Sequence, residues 1–194
     1  MMLIRHRVNT INDLLNISND YGVEIDLRSF GHELILEHDP FRDGTKFSEW
    51  LKHYRHKYLI INLKEDGLEF KAINVLNDFG ITNFFFLDQS FPSLYKLSRI
   101  APEYCSVRVS DFEPIGPALN IKPGWLWFDS HSGDWEYLID SFQAIKNVKI
   151  KTCLVSPELQ RPTAKNEFEI LKSILIKYAI NFDAVCTKLP DLWL

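Results

Sequence analysis

Apolar residues recur along the chain in two alternating rhythms. Short apolar or period-two runs occupy 3–7, 22–28, 58–64, 83–88, 104–110, 125–130, 151–156 and 182–187, and predict eight strands. Between most of them the apolar positions return with helical period. Asn9-Thr10 offers an N-cap to a helix over 11–21, where Ile11, Leu14, Leu15 and Ser18 share a face and Gly22 marks the stop. Phe47, Trp50, Leu51 and Tyr54 form a second stripe after the candidate cap Thr45, and Leu68, Ala72, Ile73, Leu76 and Phe79 form a third, closed by Gly80. Further helices are predicted over 94–100, 135–146 and 164–178. The fifth crossover, 111–124, carries no helical pattern, because Pro114, Pro117 and Pro123 interrupt it.

Strands joined by crossovers long enough for parallel pairing predict an α/β fold. The expected form is a short (β/α)8 barrel spanning 1–194 as one domain, with its fifth helix reduced or missing. An open doubly wound sheet shares the strand count. No glycine-rich phosphate loop follows the first strand, however, which argues against a nucleotide-binding sheet.

Composition narrows the partners. With 46% hydrophobic and 25% charged residues in 194, the chain has the balance of one folded core rather than a disordered tail. Its 22 basic and 26 acidic residues leave a net charge of −4 with no basic run, so the field that nucleic acid or an anionic membrane needs is missing. No apolar stretch nears the ~18 residues of a membrane span. Arg5, His6 and Arg7 stand where a signal peptide would be apolar, so a cytoplasmic location is expected. Cys105, Cys153 and Cys186 are odd in number and each lies in a strand run, which predicts buried, reduced thiols.

The reactive residues cluster at the carboxyl ends of predicted strands, where a parallel barrel opens. The first strand ends in His6-Arg7-Val8-Asn9. The second holds Glu24-Ile25-Asp26, and residues two apart on a strand face the same side, with Arg28 continuing the row. Leu34-Ile35-Leu36-Glu37 leads into His38-Asp39-Pro40, and the third predicted strand closes with Asn62-Leu63-Lys64. Two carboxylates and an amide oxygen form a hard-oxygen set suited to Mg²⁺ or Ca²⁺. Two histidines flanking such an ion can pass protons in opposite directions, and Arg7 or Lys64 can neutralise a phosphate oxygen. The same residues also fit a purely internal ion-pair network of Glu24, Asp26, Arg28 and Lys64 that finishes the barrel rim.

In that order, His6-Arg7, Glu24-x-Asp26, His38-Asp39 and the Lys64 strand resemble the glycerophosphodiester phosphodiesterase family, whose pattern is H-R-G, E-x-D, H-D and E-x-K. The tail from Asp183 through Thr187, Pro190 and Leu192 is similar to that family's last strand. The resemblance spans nearly the whole chain. It implies a phospholipase-C-like barrel that cleaves a small-molecule phosphodiester or lipid head group with one divalent cation, Mg²⁺ or Ca²⁺. By position, it makes His6 and His38 the acid/base pair, Glu24, Asp26 and Asn62 the metal ligands, and Arg7 and Lys64 the phosphate contacts. Three departures stand out. Val8 replaces the family glycine, making His6-x-Val8-Asn9 similar to the H-x-V-N of sphingomyelinase-D-like phospholipases. Asn62 replaces the third carboxylate. Residues 39–49 are too few for the family's inserted subdomain. Asn62 also keeps open a non-catalytic barrel that binds a phosphorylated sugar or lipid head group.

Other polar residues have more ordinary readings. Asp88 and Asp129 stand where they can replace the lost carboxylate or serve as caps and rim acids. Arg108 and Ser110 share a strand face and suit either a phosphate or an ion pair with a rim acid. His32 is expected on a turn, His53 and His56 on the exposed side of the second helix, and His131 in a polar loop on the catalytic side that either touches substrate or simply forms a turn. Trp125 and Trp127 alternate with Leu126 and Phe128, so one pair faces the barrel interior and the other the helices.

Overall fold

The computed structural model describes residues 1–161 and 165–194. All eight predicted runs form strands, and two short strands join them. In chain order the strands are β1 (Met2–Arg5), β2 (Gly22–Phe30), β3 (Glu33–Leu36), β4 (Thr45–Lys46), β5 (Leu59–Leu63), β6 (Phe84–Leu87), β7 (Ser106–Val109), β8 (Trp125–Phe128), β9 (Lys151–Val155) and β10 (Ala184–Thr187). The helices are α1 (Ile11–Leu15), α2 (Phe47–Leu51), α3 (Glu69–Asp78), α4 (Phe91–Ser98), α5 (Ile115–Ile121), α6 (Tyr137–Ile145) and α7 (Lys165–Lys177). Ala164, the predicted start of the last helix, lies outside the described residues.

Parallel ladders run β1-β2-β5-β6 on one side and β1-β10-β9-β8-β7 on the other. A parallel bridge from Phe86 to Cys105 brings β6 onto the start of β7 and closes the ring. The fold is thus α/β, a short barrel. Among the described residues no helix is long and apolar enough to cross a membrane.

β1 stops early, and the consequence is local and specific. Its last pairing on this edge is Arg5 with Val23, so the rest of that edge of β2 is free. β3 folds back through the turn at Gly31-His32 and takes it, antiparallel, from Leu27–Leu36 to Phe30–Glu33. The hairpin lies where the sequence pattern showed only an apolar lead-in to His38.

Several local expectations need correction. α1 ends at Leu15, which is 64% exposed, so the predicted stripe does not persist to Tyr21. Its cap is as expected: the Thr10 side chain accepts from the Asp13 N–H. Gly22 begins β2 instead of stopping a helix, and a Cβ there would collide with Ile4 Cδ1. Thr45 sits in β4 and does not cap α2, whose N-cap is Lys46 without a side-chain bond. The fifth crossover does hold a helix, α5. Pro114 is its N-cap and Pro117 lies in the first turn, where no intrahelical N–H is required, while Pro123 follows its end.

Packing divides into an outer shell and a filled interior. Leu126 and Phe128 join the apolar layer under α5, α6 and α7. Trp125 and Trp127 face inward with Ile4, Ile60, Phe85, Leu87, Cys153, Val155, Ala184 and Cys186. The bulky rings of β6 and β8 thus fill space left by small side chains on β9 and β10. All three cysteines are free and buried, and burial pushes the Cys105 thiol up to about 12, which leaves it unreactive.

His56 is not solvated. It is 7% exposed, with Nε2 3.2 Å from the Ile17 carbonyl oxygen and its ring beside Tyr54. Burial holds its pKa below the ordinary value of about 6.5, so the unfolded chain takes up that proton first as pH falls. Stability is therefore expected to drop as pH falls below about 6.5. His56→Gln, which keeps a donor for Ile17, should flatten the drop in urea unfolding measured between about pH 7 and pH 5; an unchanged slope would assign the effect to other groups.

Candidate active site at the barrel mouth

Glu24 and Asp26 project from β2 into the interior near its open end, and each is only 1% exposed. Two buried carboxylates two residues apart cannot both stay charged without compensation. The chain following β1 supplies much of it. Arg7 adopts φ 56, a left-handed conformation uncommon for a non-glycine residue. Its backbone N–H donates to Glu24 Oε2 at 2.7 Å, and its guanidinium Nε lies 3.4 Å from Asp26 Oδ2. Two residues on, the Asn9 amide grips Asp26 twice. Nδ2 donates to Oδ2 at 2.8 Å, and Oδ1 accepts the Asp26 backbone N–H at 2.9 Å.

β5 approaches from the other side. Its register sets Asn62 against Asp26, and Lys64 Nζ lies 3.1 Å from Asp26 Oδ1. Asp26 is thereby held by Arg7, Asn9 and Lys64 together. Glu24 fares worse: burial, reinforced by the Asp26 charge, pushes its pKa up to about 8. Glu24 Oε1 and Asn62 Oδ1 are both buried without a hydrogen-bond partner.

His6 follows β1 directly, its N–H donating to the Thr187 carbonyl at 3.2 Å. Its Nε2 lies 3.8 Å from Glu24 Oε2, and its buried Nδ1 has no partner. Burial, then Arg7 and Lys188, lowers its pKa to about 4, so the imidazole is neutral at ordinary pH. His38 belongs to the loop after β3 and is 40% exposed, with Nδ1 2.9 Å from Asp39 Oδ1. The His38 hydrogen bond holds the Asp39 carboxyl below the usual range. Arg28 is not part of the carboxylate network. It reaches the His38 carbonyl at 3.1 Å and the Lys64 carbonyl at 3.3 Å, tying together the two segments that carry those residues. The internal ion-pair network exists, but Arg7 occupies the place expected for Arg28.

The facing wall is built separately. Arg108 bridges Asp88 and Asp129. Gln160 donates to Asp129 Oδ2 at 2.8 Å, and Ser110 binds Glu113 at 2.8 Å. Of the two readings for Arg108, the ion pair is the one found, and neither Asp88 nor Asp129 stands in for the carboxylate missing at Asn62. His131 lies in the loop after β8, 3.8 Å from Glu113. Among the described residues no three His, Cys, Asp or Glu side chains converge on a metal position.

The predicted set His6, Arg7, Glu24, Asp26, Asn62 and Lys64 is therefore brought together, with His38 on the adjoining loop. Sequence reasoning missed the hydrogen bonds of Asn9 to Asp26 and the Lys188 charge that helps lower the His6 pKa, although both lie within the motifs that carried the resemblance.

Comparison with known proteins gives a structural likeness only. No family model and no curated protein matches the chain. A glycerophosphodiester phosphodiesterase from Agrobacterium tumefaciens superposes with a TM-score of 0.68 at 13% identity, over 100% of this chain and 97% of that one. The corresponding protein from Thermotoga maritima gives 0.68 at 17% identity, over 100% and 96%. A tryptophan synthase α-subunit mutant from Pyrococcus furiosus gives 0.56 at 14% identity, over 96% and 86%. These likenesses support the resemblance in fold; at such identities they show the fold alone.

The Asn9 clamp yields a direct expectation. Asn9→Ala strands the buried Asp26 N–H and leaves Asp26 Oδ2 only the Arg7 guanidinium, and should cost about 1–3 kcal/mol in denaturant unfolding. A loss no larger than a typical surface substitution, within about 0.5 kcal/mol, would show that Asp26 does not depend on the clamp.

Proposed function

We propose that the chain is a divalent-cation-dependent phosphodiesterase acting on a small phosphodiester or lipid head group at the barrel mouth. The supporting observation is the junction of Glu24, Asp26, His6, Arg7 and Lys64 at one end of a barrel whose structural neighbours include two glycerophosphodiester phosphodiesterases.

The residues fit a hard cation. Glu24 Oε1 and Asn62 Oδ1 are buried without a partner, and the raised Glu24 pKa marks a carboxylate short of positive charge. Glu24, Asp26 and Asn62 would hold Mg²⁺ or Ca²⁺, which when bound would draw charge from a non-bridging phosphate oxygen. With an amide in place of a third carboxylate, weak affinity is expected.

The chain's own groups do the rest. Arg7, whose side chain is 42% exposed, and Lys64 orient the phosphate while remaining close to Asp26. His6 takes the proton from the attacking group, either water or a neighbouring substrate hydroxyl. His38 returns a proton to the leaving oxygen, with Asp39 fixing its Nδ1 so that Nε2 faces the substrate. One observation favours a second reading, a binding module without catalysis: both Asp26 oxygens already have partners within the protein.

Hydrolysis of an aryl phosphodiester, with and without EDTA, separates the two. The expected result is metal-dependent turnover that falls at least about 100-fold in His6→Ala and in His38→Ala. Activity that survives chelation or the loss of either histidine would sink the mechanism, and no turnover with any divalent ion would favour the binding module. Asn62→Asp should tighten Mg²⁺ or Ca²⁺ on the order of tenfold by calorimetry, since it restores a ligand charge.

A further inference from the structure

Three neighbouring strands, β9, β10 and β1, end side by side at the mouth, and the residues that follow them are tied together. His6 follows β1, Thr187 ends β10 with Lys188 next in the chain, and Glu158 lies in the single turn after β9. The His6 N–H donates to the Thr187 carbonyl at 3.2 Å, so the imidazole and Lys188 hang from adjoining backbone. Lys188 is exposed, and its charge acts on the His6 ring more strongly than that of Lys64.

An acid beside an exposed lysine usually pairs with its ammonium. Glu158 instead holds the lysine's backbone. Its Oε1 accepts the Thr187 hydroxyl at 2.5 Å and the Lys188 N–H at 3.1 Å, and its Oε2 accepts the Ser156 hydroxyl. Ser156 is fully buried, and its Oγ accepts the Trp193 indole N–H at 2.8 Å. Thr187 Oγ1 also accepts the Leu189 N–H at 2.9 Å, which closes the turn that carries Lys188. Both Glu158 oxygens are thus taken by hydroxyl and backbone donors. Among the described residues no ion pair involves Lys188.

The other cations beside the carboxylates are shared. Arg7 Nε and Lys64 Nζ lie 3.4 and 3.1 Å from Asp26 oxygens, so a phosphate that draws on either competes with a buried carboxylate for the same charge. Lys188 has no such rival. We infer that Lys188 is a further phosphate contact of this site, and that Glu158 is the positioning residue that sets it there by holding the Thr187 hydroxyl and the Lys188 N–H. The inference rests on the phosphodiesterase reading for the place of the phosphate. An ammonium with no carboxylate of its own gives a non-bridging oxygen a charge-assisted hydrogen bond, and the fixed turn beneath it lowers the entropy lost in forming that bond.

Inorganic phosphate, followed by calorimetry, is the probe for binding, and an aryl phosphodiester the probe for turnover, both with the full chain. Lys188→Met should weaken phosphate affinity about five- to tenfold and raise KM for the diester by more than it lowers kcat. Lys188→Arg should recover most of the affinity, because the charge returns. Glu158→Ala should reproduce the weakening with Lys188 still in place, and Glu158→Gln, which keeps an acceptor for the Thr187 hydroxyl and the Lys188 N–H, should restore the affinity. Combining Glu158→Ala with Lys188→Met should cost no more affinity than Lys188→Met alone, since both act on one contact. Additive losses would overturn the positioning role of Glu158. An affinity unmoved in Lys188→Met would overturn the contact itself, and with turnover intact the hydrolase reading would stand. Lys188-dependent phosphate binding in a chain without turnover would support the contact while sinking the hydrolase reading.

Discussion

The structure turns on the burial of Glu24 and Asp26. A barrel interior is a packed apolar space, and two carboxylates on one strand face are tolerated there only if cations and donors reach them. That need accounts for the surrounding backbone. Arg7 takes an uncommon left-handed conformation so that its N–H and its guanidinium serve different carboxylates. Asn9 locks Asp26 from the same segment, and Lys64 arrives in register from β5. What these groups leave unmet, two unpartnered oxygens and a Glu24 that resists ionisation, is where the chemistry is proposed.

The same need shapes the topology near the mouth. Because β1 ends at Arg5, the chain can turn inward: Val8 N–H donates to the Glu24 carbonyl, and beyond it Glu37 N–H donates to the Asp26 carbonyl. The edge of β2 is thus satisfied in turn by β1, by the loop after it and by the β2–β3 hairpin, which leads into the loop that carries His38. A longer β1 would occupy that edge and displace the hairpin. The opposite wall satisfies its buried acid differently, with Arg108 and Gln160 on Asp129. One end of the ring therefore holds two separate charge systems.

Much of this was legible because strand periodicity is strict. Spacing by two on β2 places Glu24 and Asp26 on one face, and the same rule pairs Asn62 with Lys64 and separates Trp125 and Trp127 from Leu126 and Phe128. The cysteine expectation held for the same reason, since a thiol inside a strand run is buried. Helix ends were less legible. A proline within the first turn looks like a breaker until the register of α5 is known, because the N–H it lacks has no partner in that turn anyway. The stripe beginning at Ile11 continued on paper past Leu15, but no neighbour covers that side chain. His56 shows the converse, a polar residue in a polar-looking segment that the fold buries against Tyr54.

By itself the sequence determined the alternation of strand and helix, the inward carboxylate pair and the cluster of chemistry at strand ends, all of which follow from short-range periodicity and chain direction. Only the tertiary structure decided which cation meets which carboxylate. Arg28 and Arg7 are equivalent as charges near Asp26, yet the early end of β1 swings Arg7 and Asn9 inward, while β2 runs on and carries Arg28 out to the carbonyls of His38 and Lys64. The pairing of Arg108 with Asp88 and Asp129 across adjacent strands was likewise beyond reach. Ion pairs form between residues far apart in the chain, and their partners are set by strand register and ring closure, which no local pattern encodes.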